Sequence, residues 1–133
     1  MAKVVRRLLS LLFALKFYDK HYKIIYGGKI VSFNQIYSGS HWSKRSAIKI
    51  KFHEIFEILL LEAKVKPMKE MFLVIFFNTR HDCDNIVLTA KFLLDTMKGK
   101  YIEDDTSKFY KGIQIVHDSE LPKGQLEMHI LGK

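Results

Sequence analysis

MFLVIFF, residues 71–77, runs straight into NTRHDCDN, residues 78–85. An unbroken apolar run has no solvent face to offer, so it predicts a strand buried on both sides in the middle of a sheet. The end of that strand delivers the chain to Asp82. Beyond it, Ile86, Ala90, Leu93, Leu94 and Met97 recur at the spacing of one buried helical stripe, which predicts a helix starting at Asp84 or Asn85 and closed by Gly99.

Upstream, Ile48, Phe52, Ile55, Phe56 and Leu59 repeat the same spacing. A helix capped by Ser43 or Ser46 and running to about Lys66, before Pro67, is expected. Tyr22–Tyr26 and Lys29–Phe33 read as short strands joined by Gly27 and Gly28 in a hairpin. Downstream, Phe109–His117 and Gln125–Leu131 alternate in part and flank a Pro122 and Gly124 turn, which predicts an antiparallel C-terminal hairpin. The sum is a small α/β (α+β) domain: a mixed sheet with a buried central strand, two main helices and a C-terminal hairpin.

The chain has 133 residues, 48% of them apolar, enough for one core. No repeat or linker divides it, and residues 1–133 are expected to form a single domain. Arg6 and Arg7 precede the apolar stretch Leu8 to Leu15, which is too short to span a bilayer and lacks a small-residue cleavage site. It reads as a retained helix that covers the core or joins a dimer. The lone Cys83 excludes an intrachain disulfide framework and a cysteine-built zinc site, and fits a reducing cytoplasm. Placed between two acids, it is expected to turn into the core as a small hydrophobe.

With 22 basic against 14 acidic residues the formal charge is +8, which favours phosphate backbones over acidic small molecules. Against that background the acids around the second helix stand out. Asp82 and Asp84 leave an extended segment on the same side and can share one cation, and Asp105 is the natural third ligand if the chain doubles back after the helix. Lys91 and Asp95 lie one turn apart on that helix. Lys91 near a carboxylate cluster would stabilise charge on a phosphate during in-line displacement. Ordinary roles exist for each residue: Asp84 as a helix cap, Asp82 as a loop solubiliser, Asp104 and Asp105 as turn formers, Lys91 and Asp95 as a surface pair.

Bases also cluster near the first helix. Arg45, Lys49 and His53 share one of its faces, as a solvated surface or as phosphate contacts. Tyr37, His41 and Trp42 sit among Lys44, Arg45 and Lys49, a mixture that can stack on an opened base and grip phosphates, although Trp42 can equally pack beneath its loop.

The order Asp82, Cys83, Asp84, Asn85, then Lys91 and Asp95 in a helix, then the pair Asp104 and Asp105, resembles the RusA-type Holliday junction resolvases of bacteria and phages. The likeness covers roughly residues 22 to 131, including the loop Ser32 to Arg45, and leaves residues 1–20 outside it. It implies a homodimer that cuts branched DNA, four-way junctions above all, with magnesium or manganese. Asp82, Asp84 and Asp105 match the metal-binding aspartates, Lys91 a catalytic lysine, and Asn85, Asp95 and Asp104 supporting positions. The chain departs from the family in the interval from Asn85 to Lys91, three residues longer than usual, and in Val31, which stands where many members have proline.

The expected activity is therefore hydrolysis of phosphodiester bonds by a metal-dependent endonuclease in DNA recombination and repair, leaving a 5′ phosphate. A non-catalytic basic nucleic-acid-binding module is the alternative. A phage structural protein that assembles through its apolar N-terminus is a third.

Overall fold

A computed structural model describes residues 11–12, 14–32 and 42–133, without the side chain of Trp42. Tyr37, His41 and most of the N-terminal apolar stretch lie outside the described residues. Residues 11, 12, 14 and 15 are helical.

The elements follow the order β1 (Lys20–Tyr26), α1 (Trp42–Glu62), β2 (Met71–Asn78), α2 (Cys83–Met97), β3 (Tyr110–His117) and β4 (Gln125–Gly132). They form a four-stranded mixed sheet in the order β1-β4-β2-β3. β4 runs antiparallel to both its neighbours, while β2 and β3 are parallel and joined through α2.

The central place of β2 agrees with its sequence. Met71, Leu73, Ile75 and Phe77 enter the main core beneath the helices, whereas Val74 and Phe76 join a second cluster on the other face with Ala14, Leu121 and Leu131. Each face needs its own cover, which is why no position along the strand is polar until Asn78. On the helical side α1 and α2 meet through Phe52 and Phe92, stacked at 4.6 Å between centroids. Phe56, fully buried, closes against Tyr26 at 5.4 Å and Phe52 at 5.9 Å.

Two expected hairpins are absent. β3 and β4 do not pair: β2 lies between them, and the connection from Asp118 to Gly124 crosses the end of β2. Three hydrogen bonds pin it there, from Asp118 N to Phe77 O (2.9 Å), Asn78 Nδ2 to Leu121 O (2.6 Å) and Gly124 N to Asn78 O (2.7 Å). The alternating pattern suits either arrangement, because β4 runs opposite to β3 whether or not they touch.

The second correction concerns residues 29–32, which form no strand. The Tyr26 hydroxyl donates to Lys29 O at 2.7 Å, folding the chain back over its own ring. A Cβ at Gly28 would stand 2.6 Å from that hydroxyl, so the turn needs glycine. Ile30 and Val31 then drop into the core, and β1 pairs with β4 instead.

Helix α1 ends at Glu62, four residues short of the expected limit near Lys66. Val65 N bonds Leu60 O and Lys64 N bonds Leu61 O, with Lys64 at φ 57, a left-handed closure usually marked by glycine. Here Val65, buried behind the turn, supplies the apolar contact that holds it. Without glycine the stop has no signature in the sequence.

Candidate functional site

Asp82 closes the N-terminus of α2. Its backbone is extended (φ −81, ψ 173) and Oδ1 accepts from Asn85 N at 3.4 Å. This satisfies one of the free amides that every helix start exposes. Asp84 stands exposed in the first turn, where a negative charge suits the helix dipole. Among the described residues it has no partner. Cys83 between them is exposed rather than turned into the core, because the buried face of α2 begins only at Ile86.

The chain does double back after α2. Met97 O accepts from Lys100, Tyr101 and Ile102, Gly99 takes φ 83, and Tyr101 and Ile102 are buried. The return brings Asp104 and Asp105 alongside the helix, but not to its start. Asp105 Oδ2 accepts from Lys91 Nζ at 2.6 Å, and its Oδ1 lies 3.4 Å from Lys98 Nζ. Lys91 also reaches Asp95 at 3.2 Å, and Lys98 reaches Asp104 at 3.3 Å. Three carboxylates and two ammonium groups thus make one ladder along the outer face of α2.

Lys91 lies about 10 Å beyond Asp84 along the axis, and Lys98 about 21 Å beyond it, at 1.5 Å per residue. The expected gathering of Asp82, Asp84 and Asp105 is not found: no three His, Cys, Asp or Glu side chains among the described residues stand where they could hold one metal ion. Magnesium sites, however, often use one or two carboxylates and complete the shell with water and substrate phosphate. Asp82 and Asp84 meet that smaller demand in number and type, and Asp105 belongs to the lysine ladder.

Charge fixes what Lys91 can do. Its hydrogen bond to Asp105 raises its pKa, so it stays an ammonium and is no proton acceptor near neutrality. The same bond lowers Asp105 to about 2. A carboxylate depressed in the folded state adds stability above its unfolded pKa near 3.8, and loses it as pH falls through about 2. The Asp105 side-chain carbon resonance is expected to titrate near that value, and Lys91→Ala to move it back toward the ordinary aspartate range. A wild-type midpoint at the ordinary value would show that the pair does not persist in solution.

Sequence reading missed Lys98, although it sits two turns beyond Lys91 on the same face. It also missed a polar chain on the opposite face of the sheet, buried at Glu127 and His129 and reaching the surface at His21. Glu127 Oε1 lies 2.7 Å from His129 Nε2, and His129 Nδ1 lies 2.7 Å from His21 Nε2. Burial lowers the pKa of His129, with Glu127 opposing. The two histidines are far apart in sequence, and only the β1–β4 register unites them.

The bases of α1 divide. Lys49 and His53 line a cleft of about 260 Å³ between the helices, together with Asp95, so one basic face of α1 borders the α2 ladder. Lys44 belongs to another cavity, of about 470 Å³, beside Lys29 and Lys51. Arg45 is half-buried on the same first turns.

Among the described residues no helix is long and apolar enough to cross a membrane. No protein-family model matches the chain, and no curated protein does.

Proposed function

We propose that this chain is a divalent-metal-dependent endodeoxyribonuclease acting on branched DNA such as four-way junctions. The observation that carries the reading is the pair Asp82 and Asp84 at the mouth of α2, just past the carboxyl end of the central strand, with Arg80 and His81 immediately before it. Ligands favour the carboxyl ends of parallel strands, and β2 and β3 are the parallel pair here.

Asp82 and Asp84 would hold magnesium or manganese. The ion, when bound, activates water and stabilises the leaving 3′ oxygen. The chain's own share is positioning. Lys91, clamped by Asp95 and Asp105, is a fixed cation on the same face as Asp84, with one ammonium proton still available to a phosphate oxygen. Asp105 acts through Lys91, and Asp104 through Lys98. Opposed cuts in two strands require two such sites, hence two copies of the chain, in a cytoplasmic setting.

A non-catalytic DNA-binding module is the second reading, favoured by one fact: both oxygens of Asp105 already face lysines. The two diverge in a single assay. Incubation of a synthetic four-way junction with the protein is expected to give symmetric nicks with 5′ phosphates in magnesium and none in EDTA. Retardation of the junction without any metal-dependent product would leave the binding module standing and end the nuclease.

A further inference from the structure

Two adjoining cavities carry five cations and, among the described residues, no acid. The larger, about 660 Å³, is lined by Lys29, Arg80 and Lys123 from three different connections. The smaller adds Lys44 and Lys51 from α1 and shares Gly28 and Lys29 with the first. Unlike Lys91, Lys98, Lys100 and Lys133, these five have no ion-pair partner among the described residues. Other lysines such as Lys66, Lys69 and Lys111 are unpaired too among the described residues but line neither cavity, and it is the gathering in one concavity that sets the five apart.

Unpaired cations crowded into one concavity repel each other and raise the free energy of the folded chain unless an anion joins them. Small-molecule sites seldom carry five unpaired charges with no counter-charge. A run of phosphates does supply the missing charge. Lys44 and Lys51 sit two turns apart on α1, about 10 Å at 1.5 Å per residue, a span of roughly three nucleotide steps at 3.4 Å each. At the other end Arg80 is two residues from Asp82, at most about 7 Å of extended chain. A strand laid along the cavities therefore ends beside the carboxylate pair.

We propose that the two cavities form one track for the phosphate backbone of a DNA strand, running from Lys44 and Lys51 past Lys29 and Lys123 to Arg80. The assignment rests on the nuclease reading only for the identity of the polyanion. It moves the main backbone contacts from the aromatic loop before α1 to the glycine turns after β1 and before β4.

The test is the salt dependence of binding to a labelled four-way junction, in EDTA so that nothing is cut. Each phosphate contact contributes about 0.7 to 0.9 to the slope of log affinity against log salt. The full-length variant carrying Lys29→Ala, Arg80→Ala and Lys123→Ala is expected to lose about 2 to 3 from that slope. A control of equal charge, Lys66→Ala with Lys69→Ala and Lys111→Ala, removes cations near the opposite end of the sheet and is expected to leave the slope in place. Should the triple variant melt early, Lys123→Gln alone, at an exposed turn, is expected to lose slightly under 1.

Equal losses from both triple variants, an unchanged slope in the first, or no binding by the wild-type chain would each overturn the track. Slope loss without cleavage in magnesium would end the nuclease reading and keep the track. Cleavage with an unchanged slope would do the reverse.

Discussion

Asparagine at position 82 is expected to leave the melting temperature unchanged and to slow junction cleavage by at least about 100-fold, the scale on which one preorganised charge-stabilising group acts. The separation follows from the two tasks of Asp82. As a helix cap it needs only an oxygen facing Asn85 N, and asparagine caps as well as aspartate. As a metal ligand it needs a negative charge, which asparagine lacks. Asp82→Ala loses both, and is expected to cost about 1 kcal/mol of stability in addition to the activity. Initial rates on a four-way junction in magnesium, with thermal melts of the same samples, distinguish the roles. Cleavage by Asp82→Asn at the wild-type rate would take Asp82 out of the site, and the proposed mechanism with it.

The second large effect concerns stability. Phe56 is completely buried, touching Tyr26 and Phe52 where α1 crosses onto the sheet. Phe56→Ala removes the ring and leaves a cavity that the surrounding strands cannot collapse into, at a cost of about 3 to 5 kcal/mol. For a domain this size that is a drop in melting temperature of about 10 to 20 °C. Ile58, on the exposed side of the same helix, is the natural comparison: Ile58→Ala is expected to stay within about 0.5 kcal/mol of wild type. Urea unfolding of both variants checks the pair, and similar losses would mean that α1 presents a different face to the sheet.

What the sequence discloses depends on how far apart the interacting residues are. β2 and α2 are written locally, the one as an unbroken apolar run and the other as a stripe opening at Asp84 or Asn85 and closed by Gly99, and both appear within a residue or two of their expected limits. The sheet order is not written locally. β4 looks like a hairpin partner for β3 because its neighbour in the chain is the obvious choice, yet it inserts between β1 and β2. Its polar residues hid this further: Glu127 and His129 argue against a central strand until their bond to each other and to His21 is known.

The acidic residues divide in the same way. The sequence points to Asp84 as the cap, yet Asp82 takes that place and Asp84 stands inside the first turn; the return of the chain toward α2 follows from Gly99. Where Asp105 stops is decided by Lys91 and Lys98, one of which carried no signal until its helical face was known. The basic track was equally hidden, since Lys29, Arg80 and Lys123 come from three connections with no common motif.

The pairing of Lys20 with Gly132, at one end of the β1–β4 ladder, has a kinetic price. A ribosome adding about 5 to 20 amino acids per second releases β1 roughly 5 to 20 s before β4, the one strand it pairs with among the described residues, emerges. Throughout that interval Ile24 and Tyr26 have no ladder to join, and fast collapse cannot satisfy them. Nascent chains of this protein should lean on holding chaperones more heavily than their modest length suggests.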